Sequence, residues 1–282
     1  MSIFVTGSTG TIGQAVVHEL LVKGIPLKVG VRSLDKTPAG VDAAVVDFGA
    51  PKTLIQAFGG ADTLFLLTPD APQVKTWVQN AVAAAKEVGV SHVVRSSGIG
   101  ADPDSPYAVM RQLGELEVII QESGLAWTAL RPNSFTQNFA TFDAQAIRHG
   151  YLQSPRGEAH ISFVDVRDIA AVAVEVLLKP KRHEGKAYTL TGPRALTLGE
   201  VASVIGVRIG RNVTYTDVDE AVWGEQMRGY GLPGWHVELL LSLCRADKDG
   251  VTSVVTDDVE QVTGRAPRDI KAFVEDYRSA WA

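Results

Sequence analysis

The chain has 282 residues, of which 45% are hydrophobic and 21% are charged, and this is the composition of an ordinary globular protein. Its net charge of −5 provides no bulk attraction to nucleic acid or to an anionic membrane surface, so we expect neither as a partner. The single cysteine, Cys244, excludes an intramolecular disulfide, and we expect a buried free thiol in a reducing compartment.

The chain enters its first apolar segment without a preceding basic stretch, so we expect no signal peptide. The longest apolar stretch, residues 169–178, contains Glu175 and is too short to cross a bilayer. These observations predict a cytoplasmic protein. The length of 282 residues predicts one large domain, or one domain with a small lobe.

A glycine-rich turn lies between the first apolar strand and the first helical pattern. Glycine allows a tight turn and a close backbone approach to a ligand, and a helix N-terminus offers unpaired N–H groups to a pyrophosphate. The turn therefore predicts a dinucleotide site. The residues that we assign to it are Gly7, Thr9, Gly10, Thr11, Ile12 and Gly13.

Short apolar strands alternate with amphipathic helices through the first half of the chain. This order predicts a doubly wound parallel sheet of the Rossmann type, an α/β fold, with a dinucleotide-binding core over residues 1–132. The predicted strands are 2–5, 27–31, 43–46, 63–67, 92–96 and 127–130. The predicted helices between them are 12–23, 52–58, 73–88 and 110–123.

Arg32 follows the second strand, roughly 20 positions beyond Gly13, where an NAD-binding unit carries an acid for the ribose 2′-hydroxyl. A guanidinium would instead pair with a 2′-phosphate, so we predict NADP(H) as the cofactor. Ser33 and Lys36 are further candidates for this contact. The alternative is a solvated arginine after a strand.

Other cofactor contacts are expected after the third, fourth and sixth strands, because ligands bind outside the carboxyl ends of such sheets. The Asp47 carboxylate can accept a hydrogen bond from the adenine amino group, and Phe48 can cover the ring. A turn-forming Asp47 is the alternative. The expected contacts near the nicotinamide end are Leu67, Thr68, Pro69 and Pro132.

The strand–helix alternation ends after Pro132. We expect residues 133–282 to be a mixed region that returns one or two elements to the core and forms a small substrate lobe. A capping box formed by Thr197 and Glu200 marks the start of one helix. The expected helical segments are 135–142, 144–149, 166–178, 198–205, 218–244, 257–262 and 269–277, and the expected strands are 161–163, 187–190 and 213–215.

Several motifs, taken in order, resemble those of the NmrA-like group of atypical short-chain dehydrogenases. They are the Gly-x-x-Gly-x-x-Gly turn, Arg32, Asp47-Phe48, Gly124 leading to residues 128–132, residues 163–170 and residues 188–193. The group includes NADPH-dependent quinone and triphenylmethane reductases, ergot-alkaloid imine reductases, and a regulatory protein that binds the dinucleotide without turning it over. The resemblance implies an NADP(H)-binding fold and leaves catalysis open.

A standard catalytic pair is absent from the sequence. Typical short-chain dehydrogenases use Tyr-x-x-x-Lys, and the nearest match here is Tyr107 with Arg111 at the lysine position. Tyr107 remains a candidate proton donor, with a surface or pocket-lining tyrosine as the alternative. Ser97, after the fifth strand, is a second catalytic candidate. The six histidines show no metal-ligand spacing, so we expect no metal.

The expected substrate pocket has an apolar, aromatic wall with a few amides, which suits a flat organic molecule. Because no Tyr-Lys pair is present, and because the resembling group includes quinone, dye and imine reductases, we predict hydride transfer to an electron-poor quinone, imine or dye-like acceptor. We expect a monomer or a homodimer. The alternatives are an NADP(H)-sensing regulator without turnover and a nucleotide-sugar epimerase or dehydratase. The candidate substrate contacts are Asn133, Phe135 and Asn138 after the sixth strand, with Trp223 and Met227 as a lid or, alternatively, as core.

Overall fold

The computed structural model describes residues 2–282 and contains a central sheet of seven parallel strands. The strands of the described chain are β1 (Ile3–Val5), β2 (Leu27–Val31), β3 (Asp42–Val45), β4 (Thr63–Leu66), β5 (His92–Ser96), β6 (Ala126–Pro132), β7 (Tyr151–Ser154), β8 (Lys186–Leu190) and β9 (Thr214–Asp217). The order in the sheet is β3-β2-β1-β4-β5-β6-β8. The strand order therefore reverses between β1 and β4, which places the ligand crevice of a doubly wound sheet at their carboxyl ends.

Helices cover both faces of this sheet. They are α1 (Thr11–Val22), α2 (Pro51–Phe58), α3 (Val74–Glu87), α4 (Ala108–Gln121), α5 (Ala144–Arg148), α6 (Val166–Leu178), α7 (Pro180–His183), α8 (Leu198–Ile209), α9 (Glu220–Gly229), α10 (Gly234–Lys248), α11 (Asp258–Thr263) and α12 (Ile270–Asp276). One buried cluster joins α1 and α6 to the sheet, and a second joins α2, α3 and α4 to it. Because both faces are covered, the central strands β1, β4 and β5 are buried along their whole length.

Residues after β6 contribute to two layers. The strand β8 joins the central sheet by pairing with β6, and the helix α6 packs on α1. A separate apolar cluster surrounds Phe163, Phe273 and Trp281, next to the two-stranded parallel sheet of β7 and β9. A small cluster of Trp223, Met227 and neighbours joins α9 to α10. The chain enters these outer elements from the carboxyl ends of β6 and β8.

The structure confirms the predicted α/β architecture, and the elements of the first half match their predicted bounds to within a few residues. The capping box at Thr197 and the burial of Cys244 are also confirmed. Within residues 2–282, no helix combines the length and apolarity that crossing a membrane requires.

In the second half, one predicted strand is absent, one strand was missed, and one predicted helical segment is divided in two. Residues 161–163 form only an isolated bridge, between Ile161 and Leu196, because the next residues turn directly into α6. The strand β7 was not predicted, since its alternation of exposed and buried residues spans only four positions. The segment 218–244 contains two helices, because Pro233 interrupts the helical pattern and serves as the cap of α10.

Candidate functional site

The glycine turn brings α1 unusually close to the preceding loop. Gly7 has φ of +65°, and a Cβ there would lie 2.2 Å from Cδ2 of Leu67. A Cβ on Gly13 would lie 2.1 Å from the Gly7 carbonyl oxygen. Gly7 therefore provides a left-handed backbone and Gly13 provides the contact between helix and turn, whereas a Cβ on Gly10 would meet its nearest atom at an ordinary 3.5 Å.

The N-terminus of α1 is suited to an anion. Gly10 caps the helix without a side-chain hydrogen bond, and the first N–H to donate within the helix belongs to Gln14, 2.9 Å from the Gly10 carbonyl. The preceding N–H groups, those of Thr11, Ile12 and Gly13, are thus left for a ligand. Together with the open glycine surface, this geometry fits the pyrophosphate of a dinucleotide.

A cleft of about 750 Å³ runs from this turn across the carboxyl ends of β2, β3 and β4. Eight of the predicted cofactor residues line it, namely Gly7, Thr9, Gly10, Arg32, Asp47, Phe48, Leu67 and Pro69. The remaining predicted residues, Thr11, Ile12, Gly13, Thr68 and Pro132, lie outside its lining, and their contacts remain predictions.

Arg32 and Lys36 bring two positive charges to one end of the cleft. Arg32 is exposed and makes no ion pair with another residue of the described chain. Ser33, a further candidate, donates its hydroxyl to Asp35 and is therefore engaged. The end of the cleft beside β2 has the charge that a ribose 2′-phosphate requires.

An aromatic pair forms another wall of the cleft. The rings of Phe48 and Trp77 are stacked with centroids 6.2 Å apart and an angle of 27° between their planes. Asp47 accepts a hydrogen bond from the Gly49 N–H through Oδ1 at 2.8 Å, which is the turn role considered as its alternative, while Oδ2 makes no hydrogen bond within residues 2–282. Trp77 was missed because it lies on α3, where an aromatic residue in a helical pattern indicates packing.

Polar contacts hold the segment that follows β4. The Thr6 hydroxyl donates to the Leu67 carbonyl at 2.9 Å, and the Leu67 N–H donates back to Thr6 Oγ1 at 2.8 Å. Thr68 Oγ1 accepts from Arg95 at 3.3 Å. Burial lowers the pKa of Arg95 to about 10, although Asp70 and Glu117 act to raise it. The guanidinium therefore stays charged at neutral pH, and its hydrogen bond to Thr68 holds the segment that follows β4.

The two catalytic candidates are engaged elsewhere. The Tyr107 hydroxyl donates to Oδ2 of Asp249 at 2.6 Å, and this hydrogen bond raises the pKa of Tyr107. The Ser97 hydroxyl donates to Oε1 of Glu117 at 2.5 Å, and Glu117 also forms an ion pair with Arg131. Neither residue lines the dinucleotide cleft or the cavity described next.

A second cavity, of about 300 Å³, lies beyond β6 and is here called the acceptor cavity. Its apolar walls include Phe135, Phe139, Phe142, Phe163, Trp223 and several leucines, and its polar lining includes Ser134, Asn138, Asp143, Arg156 and His236. Three of the predicted substrate residues, Phe135, Asn138 and Trp223, therefore lie together.

The other two predicted substrate residues are placed differently. Asn133 is buried, and its amide nitrogen donates to Ser162 Oγ at 2.7 Å and to the Thr252 carbonyl at 2.8 Å. Its Oδ1 accepts from the Ser134 N–H at 2.7 Å, so the side chain holds the loop that carries Phe135. Met227 packs with Trp223 in the buried cluster behind the cavity wall.

Sequence reasoning missed the charged groups of the acceptor cavity. Nε of Arg156 lies 3.1 Å from Oδ2 of Asp247, an ion-pair distance without the angle of a straight hydrogen bond. Asp247 is fully buried and accepts a second contact from the Thr252 hydroxyl at 2.6 Å. Burial alone would lower the pKa of Arg156, but the Asp247 carboxylate raises it above the ordinary value. No spacing in the sequence connects these residues.

Comparison with known proteins places this arrangement in context. The NmrA-like family model matches residues 1–271. The chain is 40% identical to the NAD(P)H azoreductase of Xenophilus azovorans, over 99% of both chains. Among solved structures, it resembles the NADPH-dependent quinone oxidoreductase of Escherichia coli, in complex with NADPH, at 27% identity and a TM-score of 0.87, covering 97% of this chain and 99% of the other. It also resembles a Citrobacter triphenylmethane reductase complexed with NADP(H), at 25% identity and a TM-score of 0.86, covering 98% and 99%.

Proposed function

The chain belongs to the NmrA-like family, and we propose that it is an NADP(H)-dependent oxidoreductase that transfers hydride to an electron-poor organic acceptor. One observation carries this proposal: a cleft, lined by the glycine turn and by two positive charges, and an aromatic cavity lie at the same edge of one sheet. The cleft reaches β4 and the cavity begins after β6, with only β5 between these strands. Such a pair of sites suits a dinucleotide beside a flat acceptor.

Different residues of the cleft would bind different parts of the dinucleotide. The glycine turn and the N-terminus of α1 would bind the pyrophosphate, and Arg32 with Lys36 would bind the 2′-phosphate. Asp47, Phe48 and Trp77 surround the space for adenine. When bound, NADPH supplies a hydride at its nicotinamide ring, which we assign to the segment 67–69 and to Pro132.

The acceptor cavity favours planar, electron-poor molecules. Its aromatic walls can stack on a ring and exclude water, while Asn138 offers an exposed amide for orientation. The relatives named above reduce azo compounds, quinones and triphenylmethane dyes according to their names. Such acceptors take hydride without the activated tyrosine that ketone reduction uses, which agrees with a site that lacks a Tyr-Lys pair, and an azo compound or a quinone takes up one proton in addition. We propose azo compounds and quinones as the first acceptor classes to test.

The remaining assignments belong to the same proposal. We expect a small organic molecule as the only obligatory partner besides the cofactor, because a net charge of −5 disfavours nucleic acid and anionic membranes. Cysteine usage favours the cytoplasm, and the proposed working state is a monomer or a homodimer. The boundary between the binding core and the substrate lobe is proposed after Pro132.

The test is steady-state oxidation of NADPH with a panel of azo dyes, quinones and imines. We expect loss of NADPH absorbance that depends on the acceptor and saturates with it. A dinucleotide-sensing regulator would bind NADPH and leave it reduced with every acceptor. Turnover of a nucleotide sugar without net loss of NADPH would instead support the epimerase alternative.

A further inference from the structure

Reduction of an azo or carbonyl group needs a proton as well as a hydride. Tyr107, a candidate proton donor from the sequence, donates its hydroxyl to Asp249 and lies outside the acceptor cavity. The hydroxyl of Ser97 is held by Glu117. A side chain that donates this proton must therefore lie elsewhere, within reach of an acceptor in the cavity.

Asp143 is the one carboxylic acid among the described residues that lines the acceptor cavity. Its N–H donates to the Asn138 carbonyl at 2.9 Å, and its own carbonyl accepts from the Ile147 N–H at 3.0 Å. These backbone contacts hold Asp143 as the N-cap of α5, beside the backbone of Asn138. Its carboxyl makes no hydrogen bond within residues 2–282, so it is free to contact a bound molecule.

Burial, more than the charges around it, sets the protonation of the Asp143 carboxyl. Burial raises the pKa of Asp143 to about 6, and Arg156 acts in the opposite direction. Arg156 is already paired with the buried Asp247, so its charge is largely compensated. The other titratable groups here are His236, which lines the cavity, and the Cys244 thiol beside Arg156. A carboxyl in this state can give a proton near neutral pH and recover it.

We propose that Asp143 is the proton donor to the acceptor, an inference that rests on the proposed oxidoreductase function. For an azo compound, the hydride from the reduced dinucleotide forms an N–H bond at one nitrogen. The N=N π bond opens toward the second nitrogen, which takes the proton as the carboxyl O–H bond breaks. The product is a hydrazine, the dinucleotide is oxidised by two electrons, and solvent returns one proton to the Asp143 carboxylate.

Two kinds of acceptor separate a proton donor from a structural residue. A quinone or azo compound needs hydride and proton, whereas a cationic triarylmethane dye becomes its neutral leuco form by hydride alone. We expect Asp143→Asn to lower kcat for the quinone about 100-fold at pH 5.5, a typical effect of removing a general acid. We expect kcat for the cationic dye to change less than about twofold, because that reaction takes up no proton.

The pH profile provides a second readout. For the wild-type protein, kcat/KM with a quinone should be level below about pH 6 and fall roughly tenfold per unit above it. This limb should be absent from Asp143→Asn and present in Asp143→Glu, which restores a carboxyl. Asp104→Asn, which removes an exposed loop carboxyl, should keep the wild-type profile.

Carbon-13 NMR of the unliganded protein, labelled at aspartate carboxyls, tests the assignment without turnover. A resonance that titrates near pH 6 should be present in the wild-type protein and missing from Asp143→Asn. Its absence from the wild type would overturn the proposal, as would equal losses of quinone and dye turnover in Asp143→Asn or an unchanged pH profile. If the dye is no substrate, the quinone profile and the NMR titration decide. Failure of the proposed function gives a different result, because the wild-type protein would then leave NADPH reduced with every acceptor that is tested.

Discussion

At the scale of single residues, Arg32 carries the choice of cofactor. It lies after β2 at the end of the cleft, exposed and without an ion-pair partner in the described chain. A carboxylate in this place would repel a 2′-phosphate, whereas a guanidinium can bind it through two parallel hydrogen bonds. The proposed preference for NADPH over NADH therefore depends mainly on one side chain, with Lys36 beside it.

We predict that Arg32→Ala weakens NADPH binding about 10- to 100-fold, because a hydrogen bond to a charged group contributes about 1.5–3 kcal/mol. Binding of NADH should be nearly unchanged, since it lacks the 2′-phosphate. Titration of both dinucleotides by calorimetry measures this preference, and Arg182→Ala, a substitution on the remote helix α7, serves as the matched control. An unaltered ratio of the two affinities would contradict the role of Arg32.

At the scale of elements, the contact between α1 and the glycine turn decides the shape of the cleft floor. Gly13 lies in the first turn of α1, directly against the Gly7 carbonyl. Backbone atoms cannot move aside as the end of a flexible side chain can. Any side chain at position 13 must therefore shift the helix away from the turn and open the pyrophosphate site.

We predict that Gly13→Ala lowers the free energy of unfolding by about 1–3 kcal/mol, the usual effect of overpacking, and weakens NADPH binding. Gly229→Ala is the matched control, because Gly229 also lies in a helix and a Cβ there would meet nothing within 4 Å. The control should be neutral or stabilising by up to about 1 kcal/mol. Urea unfolding measures both variants, and equal stabilities of the two would refute the close contact.

Local signals explain which parts of the site could be predicted from sequence. The glycine turn, Arg32 and the residues after each strand follow from strand–helix alternation, because parallel strands end at a common edge. Trp77 and Asp143 could not be predicted in this way. Trp77 reaches the cleft only because α3 packs against Phe48, which follows β3, and the environment of Asp143 depends on Arg156 and on residues of α10. Burial of a charge arises from tertiary packing, which periodicity does not encode.

Tyr107 shows that a local motif can also mislead, because it does not reveal tertiary contacts. Its spacing to Arg111 resembles a catalytic pair, but Arg111 donates to the Ser105 carbonyl at 2.7 Å, and the phenol contacts the residue that caps α10. A hydrogen bond between residues 107 and 249 links α4 to α10, and the short local motif contains no sign of it. The catalytic roles of Tyr107 and Ser97 remain predictions, and the geometry favours Asp143 as proton donor.

At the scale of the whole molecule, buried histidines limit stability in acid. Nε2 of His92, in β5, lies 2.9 Å from Oγ1 of Thr128, and only 2% of the residue is exposed. Burial, assisted by the charge of His183, lowers the pKa of His92 to about 4. The unfolded chain, with an ordinary histidine pKa near 6.5, therefore binds more protons than the folded protein between these values.

We predict that His92 contributes a loss of stability as pH falls from about 6.5 to about 4, on the order of 3 kcal/mol in total. His92→Gln keeps an amide nitrogen near Thr128 and cannot be protonated, so it should unfold with a shallower pH dependence across this range. Urea unfolding at several pH values compares the two proteins, and His18→Gln is the control at an exposed histidine. Parallel curves for wild type and His92→Gln would exclude this role.

The most direct test of the central claim is rapid mixing of the NADPH-loaded protein with a quinone or an azo dye in a single turnover. Hydride transfer from a bound dinucleotide predicts loss of the reduced-nicotinamide absorbance at a rate that saturates with acceptor concentration. Asp143→Asn, loaded equally, should show the same binding and a slower decay. If the bound NADPH persists with every acceptor while binding is intact, the protein holds the dinucleotide without using it, and the proposed oxidoreductase function is wrong.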